Sequence, residues 1–187
     1  MEENSKILTF QREIGFIQDK EKQEFVREAL ALLPDYFFTI PASSTGKYHP
    51  SYALGEGGLV RHTKAAVIIF YDVANLEMFH VTPEERDLGI VALILHDGLK
   101  NGIEQNTYTI TKHPVLISNY LRENFPSFPF INEVCSYIET HMGQWNTDYK
   151  TQEEVLEKPS TKMQKLVHLA DYLASRKYLE LNFNTGY

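Results

Sequence analysis

Nearly every segment longer than about ten residues carries apolar side chains three and four positions apart, while clean two-residue alternation is scarce. A chain with that period must bury helix faces against helix faces, so an all-α fold is predicted, with short strands at most. The pattern places helices at roughly 19–33, 57–78, 83–97, 111–124, 130–142 and 160–179. One start is written out in full. Thr82-Pro83-Glu84-Glu85 supplies a capping hydroxyl, a proline at the first helical position and a glutamate three residues on. Between the first two helices, Pro41-Ala42-Ser43-Ser44-Thr45-Gly46-Lys47-Tyr48-His49-Pro50 is too rich in Pro, Gly and small polar residues to be regular. Further loops are expected at Asn124 to Pro129 and at Gly143 to Pro159, the latter with a short helix at Thr151 to Leu156.

Composition sets the scale of the core. With 187 residues, 43% of them hydrophobic, the chain can build one substantial interior, and no composition shift marks a second. A single domain over 1–187 is expected, with disorder confined to the ends. The longest apolar runs, such as Val91 to Leu95, fall far short of the roughly 20 residues that cross a bilayer. The start Met1-Glu2-Glu3-Asn4 is acidic and polar, unlike a signal peptide. A lone cysteine, Cys135, near Val134 and Tyr137, excludes an internal disulfide and points to a reducing, cytoplasmic setting. The net charge of −7 argues against broad binding to long duplex nucleic acid. A small anionic substrate held by a local cluster, with help from cations, stays open, and an oligomer is compatible with all of this.

The clearest chemical signal lies in polar residues on apolar stripes. His62 shares a helical stripe with Leu59, Ala65, Ala66 and Ile69; His141 with Val134, Tyr137 and Ile138; Asp171 with Val167, Ala170 and Ala174. An ionised aspartate there is costly unless it is paired, hydrogen-bonded or metal-bound. His96-Asp97 closes the apolar run Ile90 to Leu95, where both side chains can reach one ion as the backbone turns away. Imidazole nitrogens mixed with carboxylate oxygens suit borderline or hard divalent ions, and the absence of a cysteine cluster disfavours a closed structural zinc site.

These motifs, in this order, resemble the HD superfamily of metal-dependent phosphohydrolases: Gly57-Gly58-Leu59-Val60-Arg61-His62-Thr63, then Leu95-His96-Asp97-Gly98-Leu99-Lys100, then Leu169-Ala170-Asp171. The resemblance spans about residues 49 to 177. It implies a helical bundle around a metal site, with His62, His96, Asp97 and Asp171 as ligands of a first ion and Lys100 as the basic residue after the HD pair. One local order differs from the family pattern, since Gly98 precedes Leu99. A closer resemblance, to the HD domain of 3′-to-5′ exoribonucleases, rests on His49-Pro50-Ser51-Tyr52, Lys112-His113, Thr140-His141-Met142-Gly143 and Leu166 to Asp171. It implies His113 and His141 as ligands of a second ion, although His113 also fits a helix start before Pro114.

By that resemblance the chain hydrolyses phosphate esters with activated water, using one or two divalent ions drawn from Mn²⁺, Fe²⁺, Co²⁺, Ni²⁺, Mg²⁺ or Zn²⁺. Asp97, Lys100 and His49 are the candidate catalytic groups. His49 would donate to the phosphate or protonate the leaving oxygen. Lys47 is a candidate phosphate ligand, and Trp145 either stacks on a nucleobase or simply packs, with Gln144 and Asn146 as base-edge readers on the first reading. Lys47 and Tyr48 could equally belong to a solvated loop, as could the charges of Arg61 and Lys64. His168 is expected to be structural or to support the ligands, and His80 to be incidental. The substrate expected is a nucleotide, a cyclic nucleotide or a short oligonucleotide. Two alternatives remain: a true 3′-to-5′ exonuclease, or a nucleotide-binding regulatory module with little turnover.

Overall fold

A computed structural model describes residues 1–43, 46, 47 and 49–179. Tyr48, named above with Lys47, lies outside the described residues. The described chain is all-helical, with eight α-helices and no strand. They are α1 (Glu3–Thr9), α2 (Gln11–Ile14), α3 (Lys20–Leu32), α4 (Gly58–Ala74), α5 (Pro83–Leu95), α6 (His113–Asn124), α7 (Ile131–Glu139) and α8 (Lys162–Ala174). No helix is long and apolar enough to cross a membrane.

Helix α5 is the axis of the bundle, because a helix buried on all sides needs partners on all sides. Every residue from Asp87 to Leu95 is buried, and α3, α4, α7 and α8 pack around it. Its start forms the expected capping box: Thr82 Oγ1 accepts from Glu85 N–H, and the Glu85 carboxylate accepts from Thr82 N–H. The one acidic group in its buried stretch is tied down, since Asp87 Oδ2 accepts from the amides of Gln18 and Asp19 at 3.0 and 2.9 Å. That contact fixes the turn between α2 and α3 to the central helix. Helix α4 lies along both α8 and α5, and α6 pairs with α7.

The six longer helices fall where the periodicity places them, with ends trimmed by a few residues. Two short helices were not anticipated and one expectation fails. α1 and α2 deliver Phe10, Ile14 and Ile17 to the core, and all three are fully buried or nearly so. Lys6 completes the docking by donating to the Leu33 carbonyl at 2.6 Å, which satisfies an orphan acceptor at the end of α3. The segment Thr151 to Leu156 is not a helix. Asp148 Oδ1 accepts from the amides of Lys150 and Thr151, a side-chain turn that competes with helix formation, and an isolated bridge joins Thr147 to Glu154.

The entry to α4 decides where His62 stands. Gly57 adopts φ 68°, and its amide donates to the Thr39 carbonyl at 2.7 Å, while Leu59 N–H donates to Ile40 at 2.9 Å. The first turn of α4 is therefore capped by backbone carbonyls of the preceding loop. Gly58 sits so close that a Cβ there would lie 2.3 Å from the Ala53 carbonyl oxygen and 3.1 Å from Pro41 Cα. Both neighbours are backbone and cannot swing aside. Gly58→Ala is expected to cost about 1–3 kcal/mol of stability, read as a lower urea midpoint; an unchanged midpoint would show that this junction yields.

Candidate metal centre

Five segments converge on one cluster. His62 lies in the first turns of α4 and Asp171 in the last turn of α8, and because these helices pack along each other His62 Nε2 meets Asp171 Oδ1 at 2.9 Å. His96 and Asp97 follow directly on α5 as the backbone leaves the core. The loop after them is closed by Ile110 N–H donating to the Lys100 carbonyl at 2.9 Å, which returns His113 to Asp97. His113 is both things the sequence allowed: the first residue of α6, next to Pro114, and a neighbour of Asp97 with Nε2 2.9 Å from Oδ1. His141 stands two residues past the end of α7.

Three of these imidazoles are held in the same way. Nδ1 of His96, His113 and His141 approaches the carbonyl three residues earlier, on Leu93, Ile110 and Ile138, at 2.7, 2.8 and 2.7 Å. A carbonyl can only accept, so each Nδ1 carries the hydrogen and each Nε2 is left to face the cluster. A further support comes from His168, whose Nδ1 donates to the carbonyl of His141 at 2.6 Å. Gly143 makes room for it, with φ 58° and no Cβ where one would lie 2.2 Å from the His168 ring. His168 is thus a supporting residue, as expected.

The donor atoms are spaced as ligands of a common ion would be. His96 Nε2 lies 3.4 Å from Asp171 Oδ1 and 3.5 Å from Asp97 Oδ2, and His141 Nε2 lies 3.9 Å from Asp97 Oδ1. Ligands about 2.1 Å from an ion stand about 3 Å apart at right angles and about 3.5 Å apart at the tetrahedral angle. His62, His96 and Asp171 form one compact trio, and His96, Asp97 and His141 another. Nε2 of His96, Nε2 of His113 and Oδ1 of Asp97 are buried without a hydrogen-bond partner among the described residues, although His113 and Asp97 approach closely. Buried polar atoms left without a well-formed hydrogen bond call for a ligand that they can share, and the donor set suits a borderline or hard divalent cation.

The electrostatics agree. Burial works against the charge on Asp97, yet Lys100, His96 and His113 outweigh it and hold the carboxyl well below its usual range. Asp171 is likewise lowered against the effect of burial, by His62 and then His96. Burial would lower His96, but Asp97 and Asp171 prevail and raise it. His141 is pushed down to about 3 by burial and then by His96. His49 falls to about 4 through burial, followed by His62 and Lys100. Two carboxylates thus face the Lys100 ammonium and a ring of imidazoles.

Of the other predicted residues, some reach the cluster and some do not. Lys100 Nζ donates to Asp97 Oδ2 at 2.6 Å and lines the cleft, and the ring of His49 packs edge-on against His62 with centroids 5.5 Å apart. Trp145 also lines the cleft, with 43% of its surface exposed. Gln144 and Lys47 are exposed and do not line it. Asn146 is no base reader: it is buried and donates to the Leu156 carbonyl at 3.0 Å, holding the 146–156 turn closed. His80 only ends a short turn, where its carbonyl accepts from Lys162. Tyr172, Ser175 and Arg176 line the same cleft and were missed. The signal was present, because positions four apart share a helix face and Ser175 follows Asp171 by four.

The chain matches the family model of the HD domain over residues 58–176, more than half of its length, and it belongs to that family. The HD domain is typical of metal-dependent phosphohydrolases. His49 and Lys47 lie outside the matched span. No curated protein and no solved structure matches the chain.

The raised His96 yields a signed expectation. A proton held more tightly in the folded protein stabilises it below the unfolded value of 6.5, and that contribution is lost as pH rises through the folded value. A metal ion must displace the same proton. Mn²⁺ affinity is therefore expected to rise with pH, with net proton release in calorimetry across buffers of different ionisation enthalpy. Binding without proton release would contradict a protonated His96.

Proposed function

We propose that this chain, as a single HD domain over 1–187, hydrolyses a phosphate ester of nucleotide size with water activated at the histidine and aspartate cluster. The observation that carries this is the set of buried ligand atoms without a hydrogen bond, Nε2 of His96 and His113 and Oδ1 of Asp97, behind an open cleft that His62, Asp97, His141 and Asp171 line. The partly exposed Trp145 offers apolar surface for a nucleobase.

His62, His96, Asp97 and Asp171 would hold a first divalent cation, and His113 and His141 would hold a second, with Asp97 between them. Its two oxygens face different ways, Oδ1 towards His113 and His141 and Oδ2 towards His96 and Lys100. A cation held there supplies Lewis acidity, which makes water nucleophilic at neutral pH and offsets charge on the phosphoryl group. The chain's own groups do the rest. The carbonyl latches on His96, His113 and His141 keep the nitrogens aimed, so little reorganisation is needed during the reaction. Lys100 steadies Asp97 and brings a positive charge to the cleft beside a non-bridging oxygen. His49, held neutral at pH 7, is suited to donating a hydrogen bond to the phosphate and not to acting as a proton reservoir. Water adds to phosphorus, the bond to the leaving oxygen breaks, and the water's proton ends on that oxygen; no side chain bonds to phosphorus.

The HD family match supports the chemistry, and the net charge of −7 supports a small substrate over a long strand. Metal analysis of the purified protein, with a panel of nucleotides, cyclic nucleotides and short oligonucleotides with and without Mn²⁺, tests the reading. Metal-dependent phosphate release is expected, falling in Asp97→Ala by more than the about 100-fold that loss of an outer supporting residue can cost. Nucleotide binding without turnover would favour a regulatory module, and neither metal nor binding would sink the site.

A further inference from the structure

Beyond the metal-ligand cluster, the cleft is bounded by Trp145, Tyr172 and Arg176. The two rings stack with centroids 5.5 Å apart and planes 17° from parallel. The Arg176 guanidinium lies 4.4 Å from the Tyr172 centroid and 5.5 Å from that of Trp145. Nε and Nη2 both donate to Ser175 Oγ, at 3.1 and 2.7 Å. The guanidinium is thus held by stacking and by one neutral hydroxyl.

Its charge meets no carboxylate partner among the described residues. None lies within 4 Å of it, in a chain with 25 acidic residues, whereas Arg122 pairs with Glu139 at 2.5 Å. An arginine has five N–H donors, so three of those on Arg176 have no acceptor among the described residues. A planar, weakly hydrated cation fixed in one orientation at the edge of a phosphate-binding cleft is built to take a phosphate through paired hydrogen bonds. Asp171 and Ser175 are one helical turn apart, about 6 Å along the axis, so one small molecule can span both.

We propose that Arg176, braced by Tyr172 and Trp145, binds a second phosphate of the substrate, distal to the one hydrolysed. This rests on the phosphohydrolase reading and narrows it to nucleotides carrying two phosphate groups, such as nucleoside diphosphates or bisphosphates, over monophosphates. The aromatic pair orients the guanidinium, and Ser175 fixes its rotation.

Trp145 is the only tryptophan, so its fluorescence reports on this rim directly. The full-length, metal-free protein is titrated with AMP, ADP and adenosine 3′,5′-bisphosphate, with calorimetry as a second readout. The wild type is expected to bind at least one of the two-phosphate nucleotides about ten-fold or more tightly than AMP. Arg176→Gln should erase that preference while leaving AMP within about two-fold, and Arg176→Lys should restore part of it. Equal affinity of the wild type for all three overturns the proposal without recourse to any variant. So does a folded Arg176→Gln, checked by thermal melting, that keeps the preference or loses AMP to the same degree. Turnover is not measured in this titration. Absence of hydrolysis would therefore count against the phosphohydrolase reading, and absence of the preference against Arg176 alone.

Discussion

Two carboxylates meeting at the open end of a helical bundle set the terms for everything around them. Asp97 is almost wholly buried and Asp171 only slightly open to the cleft. Taking one such charge out of water costs several kcal/mol unless a cation or donor faces it. Lys100, His62, His96 and His113 are those partners, and each comes from a different turn or helix end. The bundle cannot form with these helices in another register without leaving a charge bare. The same repulsion that would unfold an incomplete cluster leaves the complete one ready for a divalent ion.

The architecture serves that pairing through helix ends more than through helix faces. His96, His113 and His141 sit where α5, α6 and α7 begin or stop, and all three use a carbonyl three residues back as a latch. The Ile110 and Ile138 carbonyls also accept the backbone amides of His113 and His141, so ring and amide of one residue share one acceptor. The ring hydrogen bond fixes the imidazole tautomer. His62 differs because it stands within α4, where the carbonyls are spent on the helix; its Nδ1 is buried without a partner among the described residues. Its position is set instead by the glycine junction at Gly57 and Gly58 and by the ring of His49.

The helical class and the cluster were legible in the sequence for a physical reason. A histidine or aspartate among apolar residues at helical spacing is a local contradiction, and local contradictions mark sites. His62, His141 and Asp171 are readable in this way, and His96-Asp97 is readable as the polar end of an apolar run. Asn146 misled because burial of a loop residue leaves no periodic trace, and its role depends on the 146–156 turn closing on itself. The N-terminal helices were missed because α1 and α2 are short, at seven and four residues, so too few apolar positions repeat to show a period. Their docking is tertiary: Lys6 seeks the carbonyl of Leu33, 27 residues away.

Arg176 was invisible for a related reason. A lone arginine near the end of a helix ordinarily reads as a solvated charge, and nothing nearby in the chain shows that Trp145 will pack against Tyr172 beneath it. Helix α8 ties that rim to the chemistry, since Asp171 and Tyr172 are adjacent and Ser175 follows one turn later. A shift of α8 that moved Asp171 relative to His62 would move the rim with it. On the proposed reading, the residue that would hold the metal and those that would select the substrate follow one another along α8 and just past it, packed along α4. Other residues at Tyr172, Ser175 and Arg176 could change what the cleft accepts while His62, His96, Asp97 and Asp171 stay in place. Reaction type and substrate are accordingly read from one end of α8, the first from Asp171 and the second from the residues that follow it.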